Sequence, residues 1–334
     1  MTPTVRQYQY VGMRVNKNMY NQMGALIVPA FSRLTRKNLK RLIQHQITLK
    51  EEDIEDLPVL HLLNSAIVEI KDVFHQVRHF DEIPFAHVRN TMVPIIVDMS
   101  NHIYLKQVFT YFGENDEYTY RHIIAVALIA RLIGKVKGLG EEELLDLTIA
   151  GFLHDIGKAK VPEAIMNKPG KLTPEEFDEM KKHTLYGYEL IRQTPGLAQR
   201  HALVALEHHE REDGSGYPHG IKGEQMDPFS KIVAVADVFH AMISKRVYKK
   251  QVPFYQVLLE MSQNAYGLLD PETTLCFLAR IMDMLIGSEV CLSNGQRGNI
   301  IMIHANDPLS PLVEVKGQYL DLSKDKSVHV EQII

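Results

Sequence analysis

The chain holds very little cysteine: two residues, Cys276 and Cys291, in 334. Two isolated thiols build neither a disulfide framework nor a CxxC zinc site, and they fit a reducing compartment. Long apolar runs are also missing. The longest, Ile123 to Ile133, is interrupted by Arg131 and falls far short of the ~20 residues a membrane span needs. The first thirty residues carry Arg6, Arg14 and Lys17 and no signal-peptide core. A soluble, cytoplasmic protein without membrane association is the expectation. Positive charge is not in excess either, with 37 Lys plus Arg against 41 Asp plus Glu and a formal charge of -4. Nucleic acid is therefore not an expected partner. An anionic ligand would have to be held by local positive charge or by metal. Apolar residues at 45% and charged residues at 23% exclude a wholly disordered or collagenous chain. The length suggests about two domains.

Histidine is abundant, with 16 residues, several of them clustered. Up to about residue 110 chemical signals are sparse. Tyr8 to Met19 has strand-like character. Ser32 to Ile47 is basic and amphipathic, with Leu34, Leu39, Leu42 and Ile43 on one helical face, and Leu60 to Val77 repeats that spacing. His75 and His79, at i and i+4, could chelate a cation. With no third ligand nearby they read better as a solvated pair. From about Glu114 to Ile286 the pattern is helical almost throughout. Glu141 to Leu153 opens with three acids and should end near Gly157. Thr173-Pro174-Glu175-Glu176 reads as a capping box, and Asp270-Pro271-Glu272 opens another helix. After Gly287, the runs 290–292, 298–303, 312–315 and 327–330 read as short strands.

The helical block concentrates potential metal ligands: His122, His154-Asp155, His183, His208-His209 and Asp237. Imidazole suits Fe, Mn, Ni or Zn, and carboxylates can bridge two ions. Adjacent ligands point about 100° apart on a helix, so both members of a pair can share a site only near a helix end or around more than one ion. Gly157 and Gly214 follow the two pairs closely.

His154-Asp155-Ile156-Gly157-Lys158, Asn167-Lys168-Pro169-Gly170-Lys171-Leu172-Thr173, His208-His209-Glu210-Arg211, Gly216-Tyr217-Pro218 and Val233-Ala234-Val235-Ala236-Asp237-Val238-Phe239 resemble, in order, the signatures of the HD-GYP family. The resemblance covers roughly residues 115 to 287. It implies a mainly α fold: an HD-type helical bundle, preceded by a small α/β or mixed N-terminal domain and followed by a short β appendage. The divisions expected are 1–110, 111–287 and 288–334. It also implies a bacterial, metal-dependent phosphodiesterase that hydrolyses cyclic di-GMP to pGpG, with GMP as the product of a second step, by attack of a hydroxide held between two ions. His122, His154, Asp155 and Asp237 would hold one ion. His183, His208 and His209 would hold the second, with Asp155 bridging. Fe or Mn is the expected metal, with Ni and Zn as alternatives. Lys158 would stabilise the phosphate or the leaving oxygen. Arg246 and Lys249 match substrate-phosphate contacts, and Tyr217 is placed to touch the substrate. Signalling proteins such as diguanylate cyclases, or a second copy of the chain, are the macromolecular partners the resemblance suggests for a regulatory N-terminal domain.

The chain departs from the family pattern at several positions. Where some members carry a third-metal glutamate, four residues before His122, stands Tyr118, with Glu117 one residue off. Two ions rather than three are expected. Ala125 replaces a frequent arginine, His240 the usual aspartate and Val247 a proline, and Thr184 follows His183 where proline is common. These departures motivate the alternative of a weak or inactive protein that acts as a cyclic-di-GMP receptor or interaction module.

Overall fold

The computed structural model describes residues 10, 13–30, 32, 34–50, 53–54, 58–102, 118–244 and 254–333. The chain divides into two compact units, residues 1–64 and 65–334.

In the first unit, β1 (Met19–Tyr20) and β2 (Leu26–Val28) form an antiparallel hairpin. Helix α1 (Arg36–Gln44) follows. Thr35 caps it, its side chain accepting from the Asn38 amide. Leu34, Leu39 and Leu42 are fully buried, as the amphipathic spacing predicts. The strand-like reading of Tyr8 to Met19 holds only at its end. Val15 makes an isolated bridge to Ile54, the strand begins at Met19, and Tyr8 and Gln9 lie outside the described residues. Helix α2 (Pro58–Phe80) leads into the second unit.

The second unit is a helical bundle. Its helices are α3 (Val93–His102), α4 (Tyr118–Val136), α5 (Glu141–Leu153), α6 (Pro174–Lys181), α7 (His183–Gln193), α8 (Gln199–Glu207), α9 (Pro228–Ser244), α10 (Phe254–Asn264) and α11 (Pro271–Asp283). Helices α4 and α9 are apolar on most sides, with Ile123 to Ala130 and Ile232 to Ala236 buried, and they pack on each other at the centre. A helix apolar all round belongs inside a bundle. Arg131 stays buried in α4 because Ser100 and Glu141 accept from its guanidinium. Helices α6 and α11 start at Thr173 and Asp270, whose side chains accept from Glu176 and Thr273 amides, as expected. Among the described residues no helix is long and apolar enough to cross a membrane.

Helix α5 ends at Leu153, before Gly157. Gly157 instead lies in the 3-10 turn Ile156–Lys160, where it presses on the backbone of α7 at His183 and Gly187. A glycine is needed there for close approach rather than for a cap.

The C-terminal strands β3 (Glu289–Leu292), β4 (Arg297–His304), β5 (Asp307–Val315), β6 (Gln318–Asp321) and β7 (Val330–Ile333) form one antiparallel sheet in the order β6-β5-β4-β3-β7. The last strand begins at Val330, three residues later than the pattern suggests. Strand β6 escapes sequence reading because its hairpin turn is Lys316-Gly317, both left-handed, rather than the Asn-Gly that signals such a turn.

Candidate metal centre

Both adjacent ligand pairs sit at helix C-termini. His154 follows the last residue of α5, and His208 follows the last residue of α8. His183 opens α7 directly after α6. His122 lies one turn into α4, and Asp237 is in the middle of α9. Five segments distant in sequence therefore deliver side chains to one point.

The helix ends also orient the rings. The last carbonyls of a helix lack intrahelical donors. His154 Nδ1 donates to the Gly151 carbonyl at 2.7 Å, and His183 Nδ1 to Met180 at 2.7 Å. His208 Nδ1 donates to Ala205 at 3.0 Å, shared with Val204 at 3.2 Å. With Nδ1 protonated in each case, Nε2 carries a lone pair aimed inward. This is the tautomer that metal-ligating histidines use.

Asp155 is buried at the centre and uses its two oxygens differently. Oδ1 lies 3.2 Å from His183 Nε2 and 3.7 Å from His208 Nε2. Oδ2 lies 3.3 Å from His154 Nε2, 3.7 Å from His122 Nε2 and 2.5 Å from Lys158 Nζ. Asp237 stands 3.0 Å from His122 Nε2 and 3.7 Å from His209 Nδ1. Two donor groups result: Asp155, His183, His208 and His209, and His122, His154 and Asp237, each within the span of one ion.

Electrostatics favour cations here. Burial alone would raise the two aspartates. Lys158 and His154 outweigh it at Asp155, and the His122 hydrogen bond does so at Asp237, so both carboxyls stay well below their ordinary range. Burial pushes His208 down to about 4 and lowers His209 and His240 strongly. Burial would lower His154 too, but Asp155 beside it raises it. Ionised carboxylates beside imidazoles kept neutral, as at His208 and His209, are the protonation states that bind divalent ions. His154 Nε2 and Asp155 Oδ1 are buried without a hydrogen-bond partner, which costs about 1–3 kcal/mol each unless something satisfies them. Cations fit this donor set and would satisfy both atoms.

Above His209 lies the Gly-Tyr-Pro loop. Tyr217 stacks on the His209 ring with centroids 4.7 Å apart, and Phe177 meets Tyr217 edge-on at 6.4 Å. Burial, with the charges of Asp155 and Asp237, raises the Tyr217 phenol so that it keeps its proton. The loop is tied down by Glu210. This fully buried residue accepts the His219 amide at 2.7 Å and the Gly220 amide at 3.1 Å. Gly216 packs directly on the His209–Arg211 backbone.

The seven expected ligands and Lys158 thus converge, and Tyr217 lies beside them. Arg246 and Lys249 fall outside the described residues, as do Glu117 and Val247. Tyr118, at the sequence position where the family resemblance would call for a third-metal glutamate, stacks on His122 at 5.6 Å. His75 and His79 are exposed with rings 4.4 Å apart, and among the described residues they join no metal-sized donor group. Two residues packed at this site carry no sequence signal of their own: Glu210, inside the His-His-Glu-Arg motif, and His240, buried against His122. No sequence signal marks a buried carboxylate that holds a loop.

A helical bundle enclosing a histidine–aspartate centre defines a class of metal-site proteins. A family model described as HD domain matches residues 93–273, more than half of the chain. The chain belongs to the HD domain family, and the HD-GYP resemblance of its motifs stands with that assignment. It is 31% identical over 265 residues to a cyclic di-GMP phosphodiesterase of Pseudomonas aeruginosa, covering 79% of this chain and 63% of the relative. It is 42% identical over 164 residues to a cyclic di-GMP phosphodiesterase of Thermotoga maritima, covering 49% of this chain and 45% of the relative. The chain thus spans less than two thirds of either relative. A solved HD-GYP-type protein of Bdellovibrio bacteriovorus shares the fold, with a TM-score of 0.54 at 15% identity, over 82% of this chain and 97% of that one.

Proposed function

We propose that the chain is a metal-dependent phosphodiesterase acting on cyclic di-GMP. The observation that carries this reading is Asp155, one buried carboxylate that offers a separate oxygen to each of two imidazole groups. The relatives' names supply the substrate class. His122, His154, Asp155 and Asp237 hold one ion, and His183, His208 and His209 the other. Fe or Mn suits these ligands, and Ni and Zn are accommodated by the same donor types. Such ions supply Lewis acidity and a water acidic enough to attack phosphorus at neutral pH.

The chain's own groups prepare the substrate. Lys158, paired to Asp155, places a positive charge where phosphoryl oxygens would lie. Tyr217 presents a protonated phenol beside His209, ready to donate to a phosphate or a base. Arg246 and Lys249 complete the phosphate contacts, on the strength of the motif resemblance. The product is pGpG, with GMP from a second round. Residues 111–287 carry this chemistry. Residues 1–110 regulate it or pair two copies or a signalling partner, and residues 288–334 form a β appendage.

The test is elemental analysis of protein purified without chelator, paired with turnover assays on the same sample. Cyclic di-GMP, cyclic GMP-AMP and pGpG are offered in parallel. About two ions per chain with pGpG appearing supports the reading. Saturable binding of cyclic di-GMP without product, after reduction and metal reloading, replaces it with a receptor. Preference for cyclic GMP-AMP keeps the chemistry and changes the substrate.

A further inference from the structure

His240 stands where related sequences carry aspartate, yet it is fully buried. Its surroundings give it a purpose. Three ligand imidazoles, His154, His183 and His208, are oriented by carbonyls left over at helix ends. His122 has no such carbonyl available. It lies inside α4, and among the described residues its Nδ1 meets no carbonyl but a ring of α9. Its orienting partner has to come from another helix. His240, one turn after Asp237 on α9, brings its Nδ1 to 2.8 Å from His122 Nδ1. Ser244 Oγ, one turn further along α9, lies against the same ring, 3.3 Å from His240 Nε2 and 3.4 Å from its Nδ1.

Two facing Nδ1 atoms at this distance must share one proton. His122 Nε2 faces Asp237 and Asp155. If that atom is to offer a lone pair to a cation, the ring's proton must sit on Nδ1. We propose that His240 is the positioning residue for His122, accepting its Nδ1–H. The inference rests on the metal-site reading above. It also explains why α9 supplies both a ligand and an orienter: Asp237 and His240 are three residues apart on one helical face.

The test compares wild type with His240→Ala and His240→Asp. Metal content and Mn affinity are measured, with thermal unfolding as the control for folding. His240→Ala is expected to lose about one of the two bound ions, or to bind it roughly 10- to 100-fold more weakly. His240→Asp restores content, because a carboxylate accepts the same hydrogen bond. A second measurement needs no variant. In the zinc-loaded, histidine-labelled wild type, nitrogen NMR should show His122 protonated at Nδ1 and His240 at Nε2. His240→Ala that binds both ions with wild-type affinity overturns the inference alone, and so does a zinc-loaded His122 protonated at Nε2. A wild type that binds no metal overturns the metal-site reading and this inference with it.

Discussion

Gly157→Ala isolates the coupling between packing and the metal centre. A methyl carbon built on Gly157 would lie 2.9 Å from the His183 carbonyl carbon, and closer still to the His183 oxygen and the Gly187 nitrogen. Carbon atoms settle near 3.5–4.0 Å. The start of α7 must therefore retreat by about 0.6 Å at that carbon and by about 1.4 Å at the oxygen. His183 moves with it, and its 3.2 Å approach to Asp155 Oδ1 opens toward about 4 Å, which displaces one imidazole from the donor group it shares with Asp155, His208 and His209. Overpacking of this kind costs about 1–3 kcal/mol. The expected result is a melting temperature lowered by several degrees and selective loss of the ion on the His183 side. Gly187→Ala is the matched control. Its added carbon meets Ala205 Cβ at 3.3 Å and the Gly157 nitrogen at 3.5 Å, contacts only a few tenths of an ångström tight, so it should cost clearly less than Gly157→Ala. Differential scanning fluorimetry and elemental analysis read both variants. Gly157→Ala with wild-type melting and metal content would refute the reasoning.

Asp155→Ala removes the one carboxylate shared by both donor groups, so metal and phosphodiesterase activity should vanish together; two retained equivalents of metal would contradict the assignment. Glu210→Ala frees the His219 and Gly220 amides and should raise KM for cyclic di-GMP while leaving metal content intact, which steady-state kinetics beside elemental analysis would show. Leu153→Ala, at a fully buried position, should cost about 2–5 kcal/mol without changing which metal is bound, measured by denaturant unfolding and elemental analysis. Without metal, stability should rise with pH between about 4 and 6.5. His208 is held down to about 4 when folded and titrates near 6.5 when unfolded. Its contribution is complete above the unfolded value and is lost as pH falls toward 4, up to about 3 kcal/mol. His209, His240 and His201 are depressed in the same sense, while His154 and the buried Glu207, both raised, oppose them. Melting temperatures in chelator that stay flat across this range would count against buried neutral imidazoles.

Much of the site was legible before any coordinates. The ligands come as motifs because chemistry restricts residue type, and adjacent pairs need helix ends, where His154 and His208 lie. Thr173 and Asp270 were legible as caps because a cap is a local hydrogen bond. Gly157 was read as a helix stop, since a glycine after a helix ordinarily is one. Its actual neighbour, the His183 backbone, is 26 residues away.

The sequence by itself therefore carried the candidate ligands and the mainly helical pattern, because residue type and periodicity are written in a linear string. The class of chemistry and the division of the ligands between two ions are what the motif resemblance implies. Only the tertiary structure decided which nitrogen each ring turns inward. It alone decided that Glu210 holds the Gly-Tyr-Pro loop and that His240 meets His122. Each of those facts is a distance between segments far apart in the chain, fixed when α4, α5, α7, α8 and α9 pack around one buried carboxylate.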